Sequence, residues 1–123
     1  MAVKNEITEK SKRFALCVIR LAQYLQSEKK EYVLSKQLLR SGTSIGANVR
    51  EAIRAQSDAD FYAKLSIALK EADETAYWLE LLVESAYIGS DAFDRVYADC
   101  EKLIRLLVAI TKTLKSRKLS QQA

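Results

Sequence analysis

The side chains able to do chemistry in this chain are few, and none stands beside a matching partner. Histidine is absent from the 123 residues, which removes the commonest general base. Glu71, Asp73 and Glu74 cluster within a helical turn and are the obvious carboxylates for a metal. A di-metal carboxylate bundle draws on Glu-x-x-His pairs, however, and none can form here. A solvated or ion-paired acidic face is the simpler reading. Asn48 and Glu51 stand one turn apart without a nucleophile. They read as polar groups that hydrogen-bond at a helix interface, where a buried Asn can fix register.

Cys17 and Cys100 each fall on an apolar helix face, as small buried hydrophobes do. Two cysteines without histidine make no zinc site, and a reducing compartment leaves them unpaired. Tyr24, Tyr32, Tyr62, Tyr77, Tyr87 and Tyr97 are scattered along the chain. They could stack bases beside cations, but such residues more often pack at helix edges. No glycine-rich phosphate loop, paired-cysteine motif or nucleophile elbow occurs. No catalytic, cofactor-binding or metal residue is assigned, no cofactor or small-molecule substrate is implied, and the protein is expected not to be an enzyme.

What remains is electrostatic. Lys36, Arg40, Arg50 and Arg54 share one helical face, and no acid lies on that stripe. The net charge of +4 conceals a segregation: residues 1–57 carry +6, residues 58–101 carry −8, and residues 102–123 carry +6. Two readings stay open. The basic stripe faces a polyanion such as RNA or DNA, with Lys112, Lys115, Arg117 and Lys118 extending the surface. Alternatively it balances the acidic third helix, and the protein is an interaction scaffold that binds no nucleic acid.

The elements that must position these groups are helices. Proline is absent and glycine occurs three times, with 49% hydrophobic residues, so breakers are scarce and a core can form. No apolar run approaches the ~18 residues of a membrane span. The charged N-terminus does not resemble a signal peptide, and a cytoplasmic protein is expected. Periodicity places four helices at about 9–27, 34–56, 58–87 and 91–115 in a single domain spanning 1–123. Residues 1–9 read as frayed, and the end, KSRKLSQQA, as loose. Short connectors imply an all-α, antiparallel up-down-up-down four-helix bundle.

The second helix has three stripes. Leu34, Leu38, Gly42, Ile45, Val49 and Ile53 are apolar, and Gln37, Ser44, Asn48 and Glu51 are polar; the basic stripe is the third. Gly42 and Gly46 would let another backbone come close. A break at Ser41–Ser44 is the alternative, but the apolar stripe keeps phase across the glycines, so a continuous helix is preferred. Ser57, Asp58 and Asp60 signal the third helix start. Phe61, Leu65, Ala68, Ala72, Thr75, Leu79, Leu82 and Ala86 repeat there in three-four steps. A second stripe, Ile67, Glu71, Glu74, Trp78 and Leu81, is surplus to a lone bundle. With the polar stripe of the second helix it marks an oligomer interface comprising Gln37, Ser44, Asn48, Glu51, Ile67, Glu74, Trp78 and Leu81. Gly89 is expected to take the left-handed conformation after the third helix, and Ser90 to cap the fourth. Leu38, Ile45, Leu65, Leu79, Leu103 and Leu107 are expected at the core.

The run from Tyr32 to Ala52, with Gln37, Arg40, Ser44, Ile45, Asn48 and Glu51 at their spacing, resembles the signature of the 23S rRNA-intervening sequence proteins. Asp60-Phe61, Ile67-Ala68 and Glu74 resemble the third helix of that family. The similarity covers about residues 10–115. One departure is Lys70-Glu71, where many relatives have a small pair. The resemblance implies an up-and-down bundle, assembly into a homopentamer, and nucleic-acid binding without catalysis.

Overall fold

A computed structural model of the chain describes residues 2–122, with side chains described from Ala2 to Arg117. The helices are α1 (Ala2–Ser27), α2 (Leu34–Ile53), α3 (Asp58–Glu84) and α4 (Ser90–Gln122). Each packs on its neighbour in sequence, and α4 closes against α1; across the α1–α3 diagonal the Lys4 side chain reaches the Phe61 ring. Paired positions run in opposite order along each seam. Gly46 faces Ser11 and Gly42 faces Val18 between α1 and α2. Ser41 meets Thr75 and Glu51 meets Lys64 between α2 and α3. Tyr97 meets Glu80 and Cys100 meets Ala72 between α3 and α4. Consecutive helices are therefore antiparallel.

The three-four stripes become the core. Leu38, Ile45, Leu65, Leu79, Leu103 and Leu107 are all buried, as expected. α2 runs unbroken through both glycines. A Cβ on Gly42 would lie 2.7 Å from a methyl of Val18, and one on Gly46 would lie 3.5 Å from the Ser11 backbone. The glycines thus serve the α1–α2 contact.

Several boundaries differ from the sequence expectation. α1 begins at Ala2 rather than near residue 9, because Ile7 is buried in the core and holds the first turns down. α2 ends at Ile53 rather than 56, since Ser57 takes extended backbone and its hydroxyl accepts from the Asp60 N–H at 3.1 Å. α3 ends at Glu84 rather than 87. Ala86, with φ 65°, is the left-handed residue there, and no glycine has a positive φ. The Tyr87 N–H reaches the Leu82 carbonyl at 2.9 Å and the Ala86 N–H reaches Val83 at 3.1 Å, which closes the last turn as a Schellman motif. Gly89 is not the turn residue, and Ser90 is the first residue of α4 rather than a flanking cap. α4 continues to Gln122 instead of loosening at 115, as a stretch without Gly or Pro can. Cys17 is only half-buried, whereas Cys100 is buried.

The connector before α2 holds a cap that periodicity alone does not reveal. Glu31 accepts from the backbone N–H groups of Val33, Leu34 and Ser35 at 3.2, 3.0 and 2.7 Å. Burial pushes its carboxyl up, but the bonds from Leu34, Ser35 and Val33 outweigh that and hold its pKa below the ordinary 4.5. Ser35 donates to the Glu31 carbonyl at 2.8 Å and accepts from Gln26 of α1 at 3.1 Å. Glu31→Gln is expected to cost ~1–2 kcal/mol, as lost caps do. The native pKa is depressed, so the stabilisation is present above the unfolded value and lost as pH falls through the lower native one. Urea titrations at pH 7 and in the acid range should show the Gln variant weaker at neutrality, with the gap to the parent closing on acidification.

Candidate functional site

The polar stripe of α2 and the surplus stripe of α3 lie along one outer seam. Arg40 reaches across it to Glu71 at 3.1 Å and also pairs with Glu74. About three turns further along α2, Glu51 pairs with Lys64 at 3.5 Å. The hydrogen bond that Arg40 donates to Glu74 leads in holding the Arg40 pKa above its ordinary value, against burial and with help from Glu71. Beneath the ion pairs the buried hydroxyls of Thr75 and Ser41 are hydrogen-bonded at 2.8 Å. The departure at Lys70-Glu71 thus supplies a second carboxylate for Arg40.

The other members of the expected interface set fall beside this bridge. Asn48 and Glu51 do not form a pair. Asn48 donates to the Ser44 carbonyl at 2.8 Å, and Ser44 donates to the Arg40 carbonyl at 2.6 Å. Gln37 is exposed. On α3, Ile67 is 41% exposed, while Trp78 and Leu81 are half-buried. The Trp78 indole N–H is buried and has no hydrogen-bond partner among the described residues. Tyr77 packs against the Trp78 ring at 5.4 Å between centroids. A seam with an unsatisfied indole donor and an exposed aliphatic residue is suited to a protein partner.

The basic groups divide. Arg40 is engaged by α3, whereas Lys36, Arg50 and Arg54 are exposed and make no ion pair among the described residues. Lys36 and Arg40 lie near the start of α2, and Arg50 and Arg54 at its end. The antiparallel arrangement carries the ends of α2 and α4 to the same end of the bundle. A cleft of about 320 Å³ opens there, lined by residues of all four helices, among them Lys4, Ile53, Phe61, Leu114 and Arg117. Arg54 falls between two residues of its lining, Ile53 and Ala55. Lys112 and Lys115 are exposed on the same terminal part of α4; the side chain of Lys118 lies outside the described residues.

Lys4 and Phe61 were not among the expected site residues. Phe61 reads as one more member of the α3 core stripe, and Lys4 sits in a stretch expected to fray. The Lys4 ammonium lies over the Phe61 ring, 5.1 Å from its centroid. No local pattern links two residues so far apart in the chain.

Two ionisable groups, buried Cys100 and half-buried Tyr97, are held in their neutral forms. Burial, aided by Asp73 and Glu101, pushes the Cys100 thiol up to about 12. That thiol donates to the Ala72 carbonyl at 3.3 Å, so it stays protonated rather than acting as a thiolate. The Tyr97 hydroxyl donates to Glu80 at 2.8 Å, and this bond, with burial, pushes it up to about 12. Among the described residues, no three Cys, Asp or Glu side chains converge as metal ligands would. No described helix is long and apolar enough to cross a membrane.

The chain matches the family model described as 23S rRNA-intervening sequence protein over residues 3–109. It is also similar to a crystal structure of a protein of unknown function from the S23 ribosomal protein family of Bacteroides thetaiotaomicron. The two are 51% identical, with a TM-score of 0.88, over 89% of this chain and 98% of that one. No curated protein matches.

Proposed function

The chain belongs to the 23S rRNA-intervening sequence protein family, and from that premise we propose a cytoplasmic, non-catalytic, self-associating bundle that binds RNA or DNA through its basic groups. The observation that carries this reading is the contrast along α2. Arg40 is neutralised by Glu71 and Glu74, while Lys36, Arg50 and Arg54 stand exposed without an acidic partner among the described residues. Like charges left unpaired on one face gain little for the fold. A polyanion changes the balance, because each neutralised phosphate releases counterions.

Self-association along the α2–α3 seam would multiply a weak single-site attraction by avidity. It would also give the Trp78 N–H an acceptor. A homopentamer is the assembly that the resemblance of the α2 motif implies. The scaffold reading draws on Arg40, whose two ion pairs are what a charge-balancing stripe would make.

The double reversal Arg50→Glu with Arg54→Glu separates the two. For nucleic-acid binding, the variant should keep its melting temperature and assembly in light scattering. It should lose at least about tenfold in affinity and show a shallower salt slope in mobility shifts at two salt concentrations. For a scaffold, assembly or melting should suffer, and neither protein should bind nucleic acid.

A further inference from the structure

The cleft at the end of the bundle combines three features that no single helix holds. Its walls are apolar, from Ala52, Ile53, Phe61 and Leu114. Two cations, Lys4 and Arg117, stand on its lining. Among the described residues neither makes an ion pair, and Lys4 rests over the Phe61 ring. Gln56 and Ser57 of the α2–α3 connector and Asp58 at the start of α3 complete the lining with amide, hydroxyl and carboxylate groups.

We propose that this cleft binds one unpaired nucleotide, with its base against Phe61 and its phosphate between Lys4 and Arg117. The proposal rests on the nucleic-acid reading above and deepens it by naming the unit recognised. A volume of about 320 Å³ is at the low end of ligand sites and suits one nucleotide rather than a stack. An aromatic face serves any base, because every base has a π-face. The Lys4 ammonium already lies above the ring at 5.1 Å. A base sliding onto the ring moves that ammonium aside, towards the phosphate it would then neutralise. A rim of polar groups allows readout of the base edge. The Asp58 carboxylate can accept a hydrogen bond from an N–H on the base edge, whether an exocyclic amino group or a ring imide. A paired base in a duplex has its faces covered and cannot enter.

The test uses the full chain and three probes: adenosine monophosphate, a short single-stranded oligoadenylate, and a blunt duplex of the same length. Phe61→Leu removes the aromatic face and keeps an apolar, helix-compatible side chain; Phe61→Tyr keeps the face. Titration calorimetry and fluorescence anisotropy should give about a tenfold loss of single-strand affinity for Phe61→Leu, near-parent affinity for Phe61→Tyr, and unchanged duplex binding for both. Lys4→Gln with Arg117→Gln should weaken single-strand binding and flatten its salt dependence, at an unaltered melting temperature. Binding of the free monophosphate identifies the isolated nucleotide as sufficient; oligonucleotide binding alone, with the same Phe61 dependence, identifies a strand as the source. Single-strand binding equal in the parent and Phe61→Leu overturns the cleft assignment and leaves the basic-surface reading standing. A parent that binds none of the probes overturns both.

Discussion

Leu79→Ala is expected to cost ~2–5 kcal/mol, lowering the melting temperature by on the order of 10 °C. Leu79 is wholly buried and sits in the longest uninterrupted three-four stripe of the chain. Its removal forfeits transfer free energy and leaves a cavity that helices tied at both ends by short connectors cannot close. Leu65, two helical repeats earlier and equally buried, should behave alike. Val108 is 43% exposed on α4, and its replacement by alanine should change stability by no more than ~0.5 kcal/mol. Thermal melts of the three variants give the comparison. Equal melting of Leu79→Ala and Val108→Ala would mean that the α3 stripe does not face the core.

The second large effect concerns a sign. Glycine to alanine within a helix ordinarily stabilises by ~1 kcal/mol. At Gly42 the new methyl would stand 2.7 and 2.8 Å from the two Val18 methyls and 3.1 Å from the Val18 Cβ. Val18 is itself fully buried and stiff about χ1, so it cannot swing aside. α1 and α2 must part instead, at a cost of ~1–3 kcal/mol typical of overpacking. Gly46 has the opposite prospect. Its added methyl meets Ser11 at 3.5 Å, an ordinary contact, so Gly46→Ala should be neutral or stabilising. Pairing Gly42→Ala with Val18→Ala should recover part of the loss, because the two changes share one contact. Chemical denaturation of the two single variants, Val18→Ala and the double variant closes the cycle. A stabilised Gly42→Ala would show that α1 lies farther from α2 than these distances state.

The helix stripes were legible from the residues alone. A stripe is local: Phe61, Leu65, Ala68 and Ala72 share a face by the geometry of the α-helix, whatever packs against them. The continuity of α2 was readable for the same reason, since its apolar stripe keeps phase across Gly42 and Gly46. So was the start of α3, because Ser57 and Asp60 are neighbours in the chain. Boundaries set by tertiary anchoring were not. α1 reaches back to Ala2 because Ile7 finds the core, and the turn after α3 falls to Ala86, which a residue-preference rule assigns to glycine.

The candidate site divides along the same line. Lys36, Arg40, Arg50 and Arg54 could be placed on one face from their spacing, but spacing does not say which of them meets an acid. That depends on the register of α2 against α3, which brings Glu71 and Glu74 to Arg40 and leaves Arg50 and Arg54 exposed. The cleft is tertiary altogether: Lys4, Ile53, Phe61 and Arg117 come from four helices. The physical reason is range. Hydrogen bonding within a helix fixes the direction of each side chain over a few residues, so faces can be read in one dimension. The partner of a charge, the space beside a glycine and the walls of a cleft depend on which helices meet and at what register.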